Sequence, residues 1–134
     1  MVKIQEIRVV DLDTKSFIKE KAKEISDMVG SELAINALSG GVDSSAVTML
    51  GHKALGKRLK TYFINNGLMR RDEPEQIVSM FKELGVVVEI VDAQDKFFKA
   101  LAGITDPEAK REAITQAFYK DVFAKLVRER LQNY

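Results

Sequence analysis

The sequence predicts a three-layer α/β domain built on a parallel sheet, and three observations carry that prediction. Three short apolar runs, at residues 33–38, 59–64 and 86–91, have the length and composition of buried strands. Segments with apolar residues at helical spacing lie between them, and glycines stand where those segments should stop. Strand and helix in alternation imply parallel strands joined by right-handed crossovers, with helices covering both faces of the sheet.

The elements follow in order. A short edge strand is expected over residues 3–10, with Ile4, Ile7, Val9 and Val10 as its apolar members. Asp13 or Thr14 then caps a helix whose stripe is Ile18, Ala22, Ile25 and Val29, and Gly30 is placed to end it. The lysines and glutamates between those positions form a solvated face. Residues 33–38 are the first core strand, expected to be covered on both faces. A glycine-rich turn follows at once. The next helix runs from about Asp43 to Leu55, with Val47, Leu50 and Ala54 on one face and Gly56 as its stop.

Residues 59–64 form the second strand, which the chain leaves through Asn65-Asn66-Gly67. Asp72 is the expected N-cap of the third helix, with Pro74 in the first turn and Glu75 at the third position. Ile77, Phe81 and Leu84 are its expected buried face, and Gly85 ends it. Residues 86–91 are the third strand. A mostly helical stretch over 94–131 is interrupted near residues 103–107. No internal repeat, low-complexity tract or linker divides the chain.

Composition narrows the chemistry. A length of 134 residues suits one domain with a real core. A formal net charge of +1 argues against a general nucleic-acid or membrane-surface binder. No apolar run approaches the ~20 residues that span a bilayer, and the start lacks the apolar centre of a secretory signal. The expected location is the cytoplasm. Cysteine is absent and His52 is the sole histidine. A thiolate metal site, a cysteine nucleophile and a histidine-based triad are therefore excluded within this chain. Chemistry here runs on carboxylates, lysines, arginines, hydroxyls, backbone amides and a bound metal.

The glycine turn, Ser39-Gly40-Gly41-Val42-Asp43-Ser44-Ser45, sits at the carboxyl end of a strand that feeds a helix. An open α/β sheet places its ligands there. Gly40 and Gly41 permit positive φ and clear the side chains that would block a phosphate. The following helix offers unpaired N–H groups and the positive end of its dipole. Ser39, Ser44 and Ser45 add hydroxyls. Asp43 stands among phosphates only if a cation bridges them, so it reads as a Mg²⁺ ligand. The loop lacks the lysine of a Walker A motif and the spacing of a dinucleotide fingerprint. The alternative is a plain tight turn with Asp43 capping the helix.

Ser39-Gly40-Gly41-Val42-Asp43-Ser44 resembles the PP-loop of the ATP pyrophosphatases. Phe63-Ile64-Asn65-Asn66-Gly67-Leu68-Met69-Arg70 looks like the segment after the second strand of GMP synthetases. Ala100-Leu101-Ala102-Gly103-Ile104-Thr105-Asp106-Pro107-Glu108-Ala109-Lys110-Arg111 looks like the lid of that enzyme. The three segments occur in the family's order and spacing and extend the resemblance over roughly residues 14–130. The first motif is shared by a superfamily, and the third is much more specific. GMP synthetase is the nearest family.

The resemblance implies a Rossmann-like, adenine nucleotide alpha hydrolase-like fold that binds ATP and Mg²⁺. It implies that O2 of xanthosine monophosphate (XMP) attacks the α-phosphorus of ATP, releasing pyrophosphate, and that ammonia then displaces AMP. By the same analogy residues 39–45 and Mg²⁺, held by Asp43, carry the pyrophosphate. Phe63, Ile64 and Asn65 line the adenine pocket with backbone groups. Asp106, Glu108, Lys110 and Arg111 close over the phosphates as a lid spanning about residues 100–116. A homodimer and a separate glutaminase subunit are the implied protein partners. Other adenylylating enzymes of the NAD synthetase or tRNA-modifying kind, and a non-catalytic nucleotide-binding protein, are the alternatives.

Each site residue also has a plainer reading. Asn65-Asn66-Gly67 reads as a turn, Asp106-Pro107-Glu108 as a helix start, and Lys110 and Arg111 as exposed helix charges. Arg70 and Arg71 read either as substrate-phosphate contacts or as surface charges. His52 reads as structural.

Three departures from the family stand out. Asn65 replaces the usual aspartate, and Ile114-Thr115-Gln116 replaces Ile-Gly-Arg. The family's remaining strands, purine site and dimerisation domain would lie beyond Tyr134. The expectation is therefore the N-terminal portion of one ATP pyrophosphatase domain, residues 1–134, unable by itself to make GMP.

Overall fold

The computed structural model describes residues 8–131. Of the strand expected over residues 3–10, residues 3–7 lie outside the described residues. Val9–Asp11 is a short 3-10 turn instead, closed by a hydrogen bond from the Asp11 amide to the Arg8 carbonyl at 2.9 Å. The Arg8–Asp11 ion pair at 2.8 Å spans the same turn, which extended backbone would pull apart.

The helix α1 (Thr14–Val29) starts at Asp13, whose carboxylate accepts from the amides of Lys15 and Ser16. The hydrogen bond from the Ser16 amide holds the Asp13 carboxyl below its ordinary value of 3.8. A depressed carboxyl stabilises the fold above that value and ceases to as pH falls through the lowered one. Gly30, at φ 61°, ends the helix as expected. No α1 residue is fully buried, and the helix packs chiefly on α2 (Val42–Leu55).

Three parallel strands form the sheet: β1 (Ala34–Leu38), β2 (Leu59–Asn65) and β3 (Val88–Asp92), in the order β1-β2-β3. β2 is central and pairs Phe63 with Leu38 on one side and Ile90 on the other. Its alternating side chains define two cores. Phe63, with Leu38, Val86 and Val88, packs against Ile77 and Phe81 of α3 (Glu73–Glu83). Ile64 packs on the opposite face against Phe97 of α4 (Gln94–Leu101) and against Ala117 and Val122. The three layers are thus as the sequence predicts. β1, expected to be covered on both faces, is only half-buried up to Leu38, because among the described residues it pairs on one side alone.

Several faces differ from expectation. Val47 of α2 is 60% exposed, and the buried line is Thr48, Gly51 and Leu55. A leucine side chain is the reason: a Cβ on Gly51 would lie 3.0 Å from Leu59 Cδ2, so the helix turns its small face to the sheet. Leu84 is 53% exposed. There the helix closes through Gly85 at φ 80°, and the Val86 amide donates back to the Phe81 carbonyl at 2.9 Å. Such a closure pairs a residue beyond the glycine with one in the last turn, so Val86 takes the core position that Leu84 lacks. Residues 86 and 87 are spent in that closure, and β3 begins at Val88.

The last third is helical with one irregularity. α5 (Pro107–Gln116) follows a loop at residues 102–106, then comes a π-helical segment (Ala117–Phe123), then α6 (Ala124–Leu131). A π turn closes five residues apart. That spacing lets both Ala117 and Val122 reach the second core. No helix among the described residues is long and apolar enough to cross a membrane.

Candidate functional site

The parallel register brings three turns to the carboxyl edge of the sheet: residues 39–41 after β1, 65–67 after β2 and 92–94 after β3. The first is the glycine loop, and its two glycines serve different ends. Gly40 has φ 81°, and a Cβ there would lie 2.3 Å from Ile77 Cδ1, so both backbone and packing demand glycine. Gly41 is extended, with φ −74°, which corrects the expectation of positive φ at both. A Cβ on Gly41 would meet only the Ser39 hydroxyl, at 3.5 Å. Nothing inside the protein requires glycine at 41.

Gly41 is the N-cap of α2 and supplies no side chain to cap it. The amides of Val42, Asp43 and Ser44 accordingly have no acceptor among the described residues. Three unpartnered donors thus stand at the positive end of a 14-residue helix, an arrangement suited to an anion. The hydroxyls close on one another: Ser39 Oγ lies 2.8 Å from Ser44 Oγ, and Ser44 Oγ donates to the Gly41 carbonyl at 3.1 Å. Ser45 is half-buried, and its amide makes the first helical bond, to the Gly41 carbonyl. Val42 projects outward and is exposed.

Asp43 is exposed and has no hydrogen-bond or ion-pair partner among the described residues. No cluster of three metal-ligating side chains surrounds it or occurs elsewhere in those residues. A lone carboxylate beside unpartnered helix amides fits Mg²⁺, which keeps waters and takes the rest of its shell from the oxygens of a bound phosphate.

A polar relay that the sequence did not announce fixes the loop from behind. Asn36 Nδ2 donates to Thr48 Oγ1 at 2.7 Å, and Thr48 Oγ1 donates to the Ser44 carbonyl at 2.7 Å. The only signals were a polar residue inside an apolar strand and a threonine on a buried helix face. Asn36 Oδ1 and its register neighbour Thr61 Oγ1 are buried without partners.

Beyond β2 the structure places Phe63, at 0% exposure, and Ile64 wholly in the two cores. Of the three expected adenine-lining residues only Asn65 surfaces. Asn65 Oδ1 accepts from the Gly67 amide and Asn66 Oδ1 from the Leu68 amide, two successive side-chain turns. An aspartate at 65 would accept the same bond, so the departure to asparagine keeps the turn and deletes a charge.

Asp72 occupies the N-cap position of α3, but at φ 60° its side chain makes no cap bond, contrary to expectation. Left-handed backbone turns the carboxylate away from the helix amides. Glu73 grips the turn instead: its Oε2 accepts from the Arg70 amide at 2.9 Å. Asp106 does cap its helix, accepting from the Ala109 amide at 2.8 Å. Glu108 pairs with Arg111 at 3.3 Å, and Lys110 is exposed. No hydrogen bond or ion pair joins these four residues to 39–45 among the described residues. Thr115 and Gln116 bond within their own helix, to the Arg111 carbonyl and the Glu112 carboxylate. His52 is half-buried beside Phe17 and Ile18 of α1, on the side of α2 away from the loop.

A doubly covered parallel sheet with a glycine loop at a strand–helix junction defines a Rossmann-like nucleotide-binding domain of the PP-loop kind. Residues 12–125 match the model of the NAD synthase family, and the chain belongs to that family. It is 48% identical over 119 residues to a subunit of the glutamine-hydrolyzing GMP synthase of Pyrococcus horikoshii, covering 88% of this chain and 38% of the relative. Identity is 46% over 105 residues to the glutamine-hydrolyzing GMP synthase of Petrotoga mobilis, or 78% of this chain and 21% of that one. The chain thus spans less than half the length of these curated relatives.

Solved structures agree on the fold. The NH3-dependent NAD synthetase of Campylobacter jejuni, in complex with nitrate, matches with a TM-score of 0.70 at 16% identity, over 87% of this chain and 53% of that one. The glutamine-dependent NAD+ synthetase of Acinetobacter baumannii, in complex with ADP, matches at 0.69 and 18% identity, over 94% of this chain and 26% of that one.

Proposed function

We propose that this chain is the nucleotide-binding portion of an ATP pyrophosphatase domain that adenylylates XMP on the way to GMP. The observation that carries the reading is the set of free amides at Val42, Asp43 and Ser44, presented by the loop Ser39-Gly40-Gly41. Relatives named as GMP synthase subunits, at up to 48% identity, support XMP as the acceptor.

The chain's contribution is to position reactants and stabilise the leaving charge. Residues 39–45 hold the terminal phosphates, and the hydroxyls of Ser39 and Ser44 exchange their mutual bond for phosphate oxygens. Asp43 would hold Mg²⁺, which would supply positive charge against the departing pyrophosphate. Adenine docks at the end of β2, where the backbone of residues 63–65 reaches the carboxyl edge and Asn65 surfaces, while the side chains of Phe63 and Ile64 stay in the cores. Residues 100–116 form a lid that brings Asp106, Glu108, Lys110 and Arg111 over the phosphates. Ammonia comes from a separate glutaminase subunit: this chain has no cysteine to act as the thiol nucleophile, and the archaeal relatives are named as one subunit of a larger enzyme. The working assembly is a cytoplasmic homodimer.

The family match and both structural neighbours favour a second reading, with the acid precursor of NAD as the acceptor. One experiment separates the two. Calorimetry on this chain should show Mg-ATP binding, and the full-length protein given ammonium should release pyrophosphate only with XMP. Absence of Mg-ATP binding sinks both readings, and release driven by the NAD precursor instead selects the second.

A further inference from the structure

Nothing in residues 39–45 is cationic. The segment holds three serines, two glycines, a valine and Asp43, which adds a negative charge. Helix amides supply only partial positive charge to a ligand that carries several full negative ones. A cleft of about 500 Å³ adjoins the loop, lined by Gly40, Arg70, Arg71, Glu73, Gln76 and Ile77. It is walled by the one glycine whose main chain is packed against α3.

Both arginines are exposed, and neither guanidinium has an ion-pair or hydrogen-bond partner among the described residues. Of the two acids that follow them, Glu73 is engaged elsewhere: its Oε2 accepts from the Arg70 amide, and the Glu73 amide donates to the Arg70 carbonyl at 3.2 Å. These two bonds lock the turn that displays the arginines. Asp72, between Arg71 and Glu73, is the one non-glycine with positive φ among the described residues. A left-handed aspartate persists only where its surroundings hold it, and such positions gather at ligand clamps. Arginine, unlike lysine, offers paired donors matched to phosphate oxygens.

We propose that Arg70 and Arg71 form a diphosphate subsite that continues the glycine loop and supplies its missing positive charge. The proposal rests on the reading of the loop as a phosphate cradle. Its ligand is the diphosphate group, either as the terminal phosphates of ATP or as the released anion. Ile77 touches both cleft and loop, so the two surfaces keep a fixed relation.

The test is calorimetry on this chain with Mg-ATP, AMP and inorganic diphosphate plus Mg²⁺, at two ionic strengths. Arg70→Gln/Arg71→Gln should weaken Mg-ATP and diphosphate about tenfold or more and leave AMP unchanged. Its salt dependence should also be shallower than the parent's. Arg70→Lys/Arg71→Lys, which keeps the charge, should fall between them. Thermal melts confirm that both variants are folded. Unchanged diphosphate affinity in the glutamine variant overturns the proposal, as does a parent that binds AMP but not diphosphate. A parent that binds diphosphate and neither nucleotide sinks the ATP reading while the variant comparison still decides the subsite.

Discussion

Residues 39–45 and residues 100–116 are both proposed to act on the phosphates, yet the body of the protein holds them differently. The glycine loop is gripped from several sides. Ile77 presses on Gly40, the Asn36–Thr48 relay pulls on the Ser44 carbonyl, and the serine hydroxyls bridge its ends. The arm beginning at Gly103 is exposed over residues 105–112, with Ile104 half-buried, and Ile114 is the side chain of α5 that packs into the second core. Its polar bonds are local to its own helix. That difference suits the proposed roles, a rigid cradle for an anion and a lightly attached part to close over it.

The contrast breaks most readily at Gly40. Gly40→Ala meets Ile77 Cδ1 at 2.3 Å in a backbone with φ 81°. It should cost about 2 kcal/mol or more in urea unfolding and abolish Mg-ATP binding. A melt within about 0.5 kcal/mol of the parent would show the loop to be looser than its contacts indicate.

Asp43→Ala should spare the fold, since its exposed carboxylate makes no hydrogen bond or ion pair among the described residues. Mg-ATP affinity should drop about tenfold or more, with little change for free phosphate. Calorimetry giving equal Mg-ATP affinity removes the metal-ligand role.

Thr48→Val keeps the side-chain shape and strands the Asn36 amide, for a loss of about 1–2 kcal/mol in denaturant unfolding. A neutral result would mean that the relay does not anchor the loop.

The arm gives the smallest effect. Asp106→Ala removes a helix cap worth about 1 kcal/mol, and the loss should stay local. Amide exchange should quicken at residues 107–112 while the global melt holds. A fall in global stability equal to that of Thr48→Val would erase the distinction between the two regions.

Much of this was legible because local chemistry repeats a long-range pattern. The three apolar runs, Gly30, Gly56 and Gly85 marked strands and helix ends where the structure has them, since a left-handed glycine stops a helix in any tertiary context. The loop's position at a strand–helix junction was equally plain. Orientation was not. The face of α2 was set by how Leu59 packs on Gly51, a contact 8 residues away in sequence that helical periodicity does not encode. Glu73's hold on Arg70 was hidden because Asp72 matched the usual capping pattern and only its backbone angle disqualified it. Arg70 and Arg71 stayed ambiguous for the same reason: a surface charge and a ligand contact look alike until a cleft is seen between them.

The π-helical segment has a bearing on where the arm points. Each residue added to or removed from a helix turns everything beyond it by about 100° about the axis. Ala117–Phe123 carries a wider turn than an α-helix, so α5 is phased against α6 by that excess. The segment acts as an angular setting. Deleting one residue there would restore a plain α-helix and swing Glu108, Lys110 and Arg111 to another quadrant, without touching a single residue of the arm.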